Sequence, residues 1–285
     1  MERKRLPQYL KRGIVDTDKT KLVRSILKNK CLNTVCEAAR CPNKAECYSK
    51  NTATFLILGN ICTRNCRFCN ISGGTPLAPD PLEPQKVAQA IKELDLKYAV
   101  ITSVTRDDLP LQGADLFSRT ITETKKLVPD IKVEVLTPDF EGIHDLIDIV
   151  IDAKPDVFNH NIETVKRLYP KARPLARYER SLDFLSYIKT KSPEMKTKSG
   201  LMVGLGETFD ELFETFKDLK KAKCDIVTVG QYMQPSKHHL EVEKYYTDEE
   251  FKQIEQLAKN AGISSVVASG LVRSSYRAFE TYSAK

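Results

Sequence analysis

The sequence lacks any apolar run long enough to span a bilayer. Its first residues, Met1-Glu2-Arg3-Lys4-Arg5, also lack the apolar segment of a secretory signal. No long stretch has the composition of a disordered chain, because charged residues make up 29% and are evenly spread. These absences argue against a membrane protein and a secreted one. We therefore expect a cytoplasmic protein built as one large domain or two small ones.

Acidic residues are too few to balance the basic ones, and the formal net charge is +7. Such a surplus can steer a nucleic acid or an acidic carrier protein, or it can be an ordinary solvated lysine-rich surface. Few aromatic residues interrupt the basic N-terminal arm, whereas a single-strand binder would stack bases on aromatic rings. The basic residues of this arm are Lys11, Arg12, Lys19, Lys21 and Arg24. We expect no nucleic-acid partner and no membrane.

Cysteine is distributed very unevenly. Seven of the 8 cysteines lie between Cys31 and Cys69, and Cys224 stands apart. Without a secretory signal a disulfide scaffold is not expected. Cysteines clustered in a reducing compartment indicate metal or redox chemistry.

From Thr52 onward, β-rich apolar runs alternate with amphipathic segments of helical length. The predicted strands cover residues 54–58, 98–102, 132–136, 157–160, 199–203, 226–230 and 265–268. The predicted helices cover residues 84–94, 116–127, 141–153, 180–189, 209–220 and 248–261. Thr247-Asp248-Glu249-Glu250 predicts a capping box at the start of the last helix. About six alternations predict an α/β fold with a parallel sheet, most naturally a partial (β/α)6 TIM-like barrel. A doubly wound open sheet is the alternative, and periodicity does not separate the two. In a barrel the chemistry lies at the carboxyl ends of the strands.

One cysteine motif, Cys62-x3-Cys66-x2-Cys69, follows the first predicted strand. Three thiolates on a short loop can each hold one iron of a cubane cluster and leave the fourth iron open. A structural zinc site is the alternative, but it would take four ligands, commonly two separated cysteine pairs. Neither a second close pair nor a nearby histidine completes such a site. The spacing therefore favours an iron–sulfur cluster.

A second group consists of Cys36, Cys41 and Cys47, again with one ligand missing. Spacing alone is ambiguous here, because Cys31 makes an evenly spaced triad with Cys36 and Cys41. Cys31 could also be a fourth ligand or an idle thiol.

The residues around both motifs are similar to those of the lipoyl synthases, a family of radical S-adenosylmethionine enzymes. The similarity covers most of the chain and is specific only when its segments are taken together. Its main segments are Asn33-Thr34-Val35-Cys36, Cys41-Pro42-Asn43, Thr52-Ala53-Thr54-Phe55, Cys62-Thr63-Arg64, Arg106-Asp107-Asp108-Leu109, Asn159-His160-Asn161, Gly204-Leu205-Gly206-Glu207 and Arg273-Ser274-Ser275-Tyr276.

This resemblance implies two [4Fe-4S] clusters and S-adenosylmethionine as cofactors. The cluster on Cys62, Cys66 and Cys69 would bind S-adenosylmethionine at its open iron and generate a 5′-deoxyadenosyl radical, with 5′-deoxyadenosine and methionine as the products. The auxiliary cluster on Cys36, Cys41 and Cys47 would donate sulfur and be consumed. Its fourth ligand would be the serine of the C-terminal motif, Ser275, and Cys31 would not be a ligand.

The implied activity is insertion of two sulfur atoms at carbons 6 and 8 of a protein-bound octanoyl-lysine group. The implied partners are acidic octanoylated carrier domains, of 2-oxoacid dehydrogenases or of the glycine cleavage H-protein. An electron donor such as ferredoxin or flavodoxin and an iron–sulfur carrier protein are implied as well. The implied domains are an extension with short helices at 1–50, the barrel at 51–262, and a segment at 263–285 that closes over the auxiliary cluster.

Several residues outside the cysteine motifs are candidates for contacts to the cofactor or the cluster. Asn161 and Glu163 follow a predicted strand and could hold the amino and ribose groups of S-adenosylmethionine, or they could cap a helix. Arg273 could orient the cluster or the substrate. The glycine-rich run at 204–207 lacks the lysine of a phosphate loop, so a close backbone approach to the cofactor is favoured.

Two further features receive structural interpretations. His238 and His239 have no evident partner ligands, so we interpret them as part of a surface loop. Cys224 precedes a strand and is interpreted as a small buried hydrophobic residue.

Other sulfur-inserting radical enzymes, such as biotin synthases and methylthiotransferases, are the nearest alternatives, and the auxiliary motif and the motif around Ser275 argue against both. A metal-stabilised basic nucleic-acid-binding protein is an alternative from another class. Metal content separates the classes, since two cubanes predict roughly eight irons per chain after anaerobic reconstitution. Iron and acid-labile sulfide analysis checks this. Zinc, or a colourless protein, would contradict the enzyme interpretation.

Overall fold

The structure, a computed structural model, describes residues 6–11, 13, 17–50 and 52–283. It divides into two compact units, a first unit of residues 12–64 and 70–158 and a second of residues 1–11, 65–69 and 159–285. Arg12 of the basic arm lies outside the described residues, as does the segment from Met1 to Arg5, which lacks the apolar segment of a secretory signal. In the described part of the chain, no helix has the length and apolarity needed to cross a lipid bilayer.

The first unit begins with the cysteine-bearing segment. Its elements are α1 (Asp18–Asn29), β1 (Asn33–Thr34), α2 (Val35–Ala38) and α3 (Lys44–Ser49). The sequence predicts only short helices here, but α1 has 12 residues. Thr17 and Thr20 cap its first turn reciprocally, and a face that includes Val23, Ile26 and Leu27 is buried. Capping and burial together extend the helix beyond what its weak periodicity indicates.

The rest of the first unit alternates strands and helices. Its elements are β2 (Thr54–Ile57), β3 (Ile61–Cys62), β4 (Ser72–Gly73), α4 (Glu83–Glu93), β5 (Tyr98–Ser103), α5 (Ala114–Leu127), β6 (Lys132–Leu136), α6 (His144–Asp152) and β7 (Val157–Asn159). The strands of the main sheet lie in the order β1-β2-β5-β6-β7. β1 is antiparallel to β2, whereas β2, β5 and β6 are parallel. β3 and β4 form a separate parallel pair.

One helix begins later than the periodicity predicts. The predicted helix at 141–153 starts only at His144. Phe140 and Glu141 have positive φ angles, +42° and +51°, and the Asp139 carboxylate accepts a hydrogen bond from the Glu141 N–H at 3.2 Å. This turn forms a separate 3₁₀ helix, Phe140–Gly142. The left-handed conformation of two residues interrupts the α-helical hydrogen bonding, so the helix has to begin after them.

The second unit continues the same alternation. Its elements are 3₁₀ helices Gln8–Leu10 and Lys166–Leu168, α7 (Tyr169–Ala172), α8 (Tyr178–Lys191), β8 (Lys196–Val203), α9 (Phe209–Lys221), β9 (Ile226–Gln231), α10 (Asp248–Asn260), β10 (Ser265–Ser269) and α11 (Ala278–Ser283). β8, β9 and β10 are parallel and lie in that order. The predicted capping box of α10 is confirmed, with Thr247 and Glu250 bonded reciprocally.

The predicted α/β class with parallel strands is confirmed. Within each unit, the described parallel strands follow one another in sequence order, with no reversal. A doubly wound sheet reverses its strand order at a switch point. The observed order therefore favours the predicted barrel-like winding over the doubly wound alternative.

Asp156 fastens the connection between α6 and β7 to the edge of β6. Its carboxylate accepts the Val133 N–H at 3.0 Å and forms ion pairs with Lys132 at 3.0 Å and Lys125 at 3.1 Å. Burial opposes the charged carboxylate, but these donors outweigh it and hold the pKa of Asp156 below its ordinary value. The charged form is therefore the one that stabilises the fold.

We expect Asp156→Asn to lower the free energy of unfolding at neutral pH by roughly 1.5–3 kcal/mol, the magnitude of a hydrogen bond to a charged group. Because the folded pKa is depressed, the contribution is present above the unfolded pKa and is lost as pH falls through the folded one. Urea denaturation from pH 7 to pH 2 measures it. Exposed Asp130→Asn is the control, and a difference that persists at pH 2 would contradict the assignment.

Candidate functional site

Cys62 lies at the end of the β3 strand, directly beside the carboxyl end of β5. Its Sγ accepts backbone N–H groups from Arg64 at 3.4 Å and from Thr105 at 3.3 Å. In iron–sulfur proteins, hydrogen bonds to a ligating sulfur influence the reduction potential. The surroundings of Cys62 thus suit a sulfur that carries negative charge.

The Arg64 side chain is buried and holds this part of the loop in place. Its Nε and Nη2 donate to the Asp107 carboxylate at 2.8 and 2.9 Å, and Nη1 lies 2.8 Å from Asp139 Oδ1. Burial works against the cation, but the two carboxylates raise the pKa of Arg64 above its ordinary value. Thr63 adds to the anchor, since its N–H donates to Thr105 O at 3.1 Å and its Oγ1 receives the Asp107 N–H at 3.2 Å. The fork geometry of arginine fixes the backbone direction at Arg64, and with it one N–H donor to Cys62.

Cys66 and Cys69 belong to the second unit, where a different set of contacts holds them. The Cys69 N–H donates to Cys66 O at 3.0 Å, which closes a turn. Arg67, between them, donates its N–H to Ala172 O at 2.9 Å and accepts the Leu240 N–H at 3.0 Å. The loop is therefore anchored on both sides by backbone hydrogen bonds.

His239 also binds this loop. Its Nε2 lies 2.9 Å from Cys69 O and its Nδ1 2.9 Å from Ser236 Oγ. A carbonyl can only accept, so Nε2 carries the proton, and Nδ1 then accepts from the Ser236 hydroxyl. The sequence interpretation of a surface loop describes exposed His238 but misses His239. Nothing local identifies this contact, because His239 and Cys69 are 170 residues apart.

The second cysteine group is brought together in the first unit. Cys36 is buried in α2, the Cys41 N–H donates to Cys36 O at 3.1 Å, and Cys47 lies in α3. Burial raises the pKa of Cys36 to about 11 and of Cys47 to about 12, and proximity to Cys41 adds to both shifts. Three neighbouring thiols become anionic together only if positive charge lies between them, and the irons of a cluster supply that charge. The donor set thus fits an iron–sulfur cluster.

The remaining cysteines lie outside this group. Cys31 is exposed after the end of α1, where Lys86 is its charged neighbour. Cys224 is 5% exposed, as predicted, and donates its S–H to Ile226 O at 3.3 Å. Among the described residues, no three His, Cys, Asp or Glu side chains converge on a position for a single metal ion. Ligands of a cubane do not converge on one point, since each holds a different iron.

Asn161 and Glu163 follow β7 in the second unit and contact each other. Asn161 Nδ2 donates to Glu163 Oε1 at 3.1 Å, and Asn161 Oδ1 accepts the Ser274 hydroxyl at 2.8 Å. Burial raises the pKa of Glu163, although Arg173 and Asn161 oppose the shift. Glu163 also has a positive φ of +67°, a strained conformation that is concentrated at functional sites. The 3₁₀ helix that follows, Lys166–Leu168, has no side-chain cap. The alternative prediction, that Asn161 and Glu163 cap a helix, is therefore not observed.

The C-terminal segment packs against two strands where glycine leaves room for it. A Cβ atom on Gly200 of β8 would lie 2.5 Å from Ser274 Oγ, and one on Gly230 of β9 would collide with Val272 O. Arg273 Nη1 donates to Val272 O at 2.6 Å, and the half-buried Ser275 follows in the same turn. Ser274 thus contacts the candidate site residue Asn161, a role that the sequence motif does not predict for it.

The glycine-rich run after β8, residues 204–207, is held by the carboxylate of its last residue, Glu207. Glu207 accepts the N–H groups of Gly204 at 2.6 Å and Leu205 at 2.9 Å, and it also accepts the Tyr246 hydroxyl at 2.9 Å. The close approach that Gly204 permits is to the Gln231 side chain. An anion-binding role for these N–H groups is therefore excluded, as the missing lysine predicts.

Comparison with known proteins gives a consistent result. The Radical SAM superfamily model matches residues 56–219. A lipoyl synthase of Caldanaerobacter subterraneus is 52% identical over 96% of this chain and 96% of its own. Lipoyl synthase 2 of Gloeobacter violaceus is 51% identical over 97% of this chain and 96% of its own.

Solved structures resemble the fold at much lower identity. SuiB of Streptococcus suis bound to S-adenosylmethionine has a TM-score of 0.60 at 13% identity, over 80% of this chain and 54% of that one. Methylornithine synthase has a TM-score of 0.57 at 13% identity, over 87% of this chain and 75% of that one. At such identity the similarity establishes the α/β fold and nothing about substrate.

We expect Arg64→Gln to lower the free energy of unfolding of the metal-free protein by roughly 3–5 kcal/mol, because it leaves Asp139 buried without its cation. Guanidinium denaturation measures this. Arg67→Gln on the same loop is the matched control, since Arg67 is exposed, and it should change stability by less than about 0.5 kcal/mol. Equal stabilities of the two variants would contradict a structural role for the Arg64 ion pairs.

Proposed function

Because this chain belongs to the lipoyl synthase family of the Radical SAM superfamily, we propose that it inserts sulfur at carbons 6 and 8 of an octanoyl group. The chain is a radical S-adenosylmethionine enzyme that uses an iron–sulfur cluster and acts on a lipoyl-carrier protein. The octanoyl group would be amide-linked to a lysine of that carrier. The observation that supports the proposal most directly is the presence of two separate cysteine triads in different surroundings.

The triad of Cys62, Cys66 and Cys69 would hold the radical-generating cluster. When bound, that cluster supplies an open iron for S-adenosylmethionine and an electron that cleaves its sulfonium. Two backbone N–H groups would donate to the ligating Cys62 sulfur, and the Arg64 ion pairs keep one of them, the Arg64 N–H, in position. His239 restrains the loop at Cys69, because its ring nitrogen Nε2 is hydrogen-bonded to the Cys69 backbone carbonyl.

Asn161 and Glu163 would contact the amino and ribose groups of S-adenosylmethionine. A carboxylate accepts hydrogen bonds from both an ammonium group and a hydroxyl, and an amide can donate and accept. Asn161 and Glu163 are hydrogen-bonded to each other, and Asn161 also accepts the Ser274 hydroxyl. These two bonds restrict the side-chain rotamers before the cofactor binds. Arg273 would orient the auxiliary cluster or the substrate.

The triad of Cys36, Cys41 and Cys47, completed by Ser275, would hold the auxiliary cluster that donates sulfur. The serine assignment comes from the family motif. A serine oxygen is a harder ligand than a thiolate and suits iron–sulfur iron less well. Held by Ser275, the fourth iron would have a weaker link to the protein than the irons held by thiolates.

The proposal also specifies partners and domains. An acidic octanoylated carrier domain, of the 2-oxoacid dehydrogenase or H-protein type, would supply the substrate. A ferredoxin or flavodoxin would supply electrons, and an iron–sulfur carrier would rebuild the spent cluster, all in a reducing cytoplasm. Residues 1–50, 51–262 and 263–285 would provide the auxiliary ligands, the barrel and the serine ligand.

The function is tested by anaerobic incubation of the reconstituted protein with S-adenosylmethionine, reductant and an octanoyl-lysine peptide. We expect the peptide to gain two sulfur atoms, as measured by mass spectrometry, together with release of 5′-deoxyadenosine. Cleavage without any gain of sulfur would contradict sulfur insertion and leave only the radical class.

Two variants separate the roles of the triads in this experiment. Cys41→Ala should still release 5′-deoxyadenosine but transfer no sulfur, because only the auxiliary cluster is damaged. Cys66→Ala should lose both activities, because cofactor cleavage precedes sulfur transfer. If Cys41→Ala transferred sulfur normally, the auxiliary assignment would be wrong.

A further inference from the structure

A cleft of about 460 Å³ lies in the first unit, between α1 and the segment that carries Cys36. Arg24 and Lys28 of α1 line the cleft. Thr34 and Glu37, which precede and follow Cys36 in the sequence, line it as well. Asn60, two residues before Cys62, lines it as well. The cleft is therefore bordered by the two chain segments that lead into the two cysteine motifs.

The charges along this cleft are mainly positive. Lys21, Arg24 and Lys28 are exposed and spaced at i, i+3 and i+7, which places them in one row along α1. The row is about 10 Å long, from the helical rise per residue. We call these three residues the basic row. It lies beside the buried face of α1, which includes Val23 and Leu27.

Two carboxylates of the described residues, Glu37 and Asp18, lie beside the cleft and the basic row. Glu37 is the acidic residue of the cleft, and Lys44 pairs with it at 2.8 Å. Asp18 lies 3.5 Å from Lys21, but both side chains are largely exposed, so water and salt screen the pair. The cleft and its rim thus present a net positive surface to a partner.

We infer that the cleft and the basic row form the docking surface for an acidic face of the carrier domain. This inference rests on the proposed function, which requires a protein domain to deliver a long lysine-linked acyl chain. The basic row lies beside the chain segments that lead into both cysteine motifs. Its positive charges would attract such a domain and orient it. Exposed charges of this kind act mainly on encounter, so the effect should weaken as salt rises.

The test compares the parent protein with the triple variant K21E/R24E/K28E on two substrates. One is an octanoylated lipoyl-carrier domain and the other is a short octanoyl-lysine peptide with uncharged flanking residues. At low ionic strength we expect KM for the domain to rise at least tenfold, while kcat/KM for the peptide stays within twofold. The difference in KM should shrink when 0.5 M NaCl is added.

Two further variants serve as controls. K92E/K126E/K252E makes the same change of formal charge at exposed positions on α4, α5 and α10, and it should leave KM for the domain within twofold of the parent. K21Q/R24Q/K28Q removes charge without reversing it and should give an intermediate KM. Unchanged peptide turnover in each variant verifies that the variant is folded and carries its clusters.

The Kd for the fluorescently labelled carrier domain, measured in parallel by anisotropy, requires no turnover. It therefore distinguishes a failure of docking from a failure of the proposed function. An equal Kd for the parent and K21E/R24E/K28E would overturn the inference, as would an equal loss of turnover on both substrates. If the variant lost affinity for RNA but kept its affinity for the carrier domain, the basic row would be a nucleic-acid site instead.

Discussion

The buried guanidinium of Arg64 is the contact on which the geometry around Cys62 depends. It bridges Asp107 and Asp139, which follow two different strands of the first unit, while the backbone N–H of Arg64 donates to the Cys62 sulfur. A buried cation without a partner is costly, so the loop cannot leave this position without breaking the whole arrangement. Carboxylates at the carboxyl ends of parallel strands thus determine where Cys62, a proposed cluster ligand, lies.

The two cysteine triads differ in how the protein supports them. Around Cys62 and Cys69 the support comes from residues distant in the chain, namely Thr105 and His239. Around Cys36 it is mostly local, since the turn to Cys41 and the start of α3 lie within a short segment that follows α1. In the proposed function, the triad with Cys62 would hold the cluster that persists and the triad with Cys36 the cluster that donates sulfur.

The second unit shows how glycine makes room for a chain segment. Gly200 and Gly230 lie on neighbouring parallel strands, and any side chain at either position would collide with the segment that contains Ser274. The same packing brings the Ser274 hydroxyl to Asn161, which in turn holds Glu163. The packing that places the C-terminal segment therefore also positions the residues proposed to contact the cofactor.

The sequence by itself determined the alternation of strands and helices, the cap at Thr247, the buried Cys224 and the two cysteine motifs. These features follow from local periodicity, capping chemistry and ligand spacing. Even there, the left-handed turn at Glu141 moved the start of a helix, because backbone conformation at one residue leaves no periodic signal. Only the tertiary structure decided that His239 binds at Cys69 and that Ser274 binds Asn161. Those partners are 170 and 113 residues apart, and such contacts arise only when the packing of whole strands brings distant loops together.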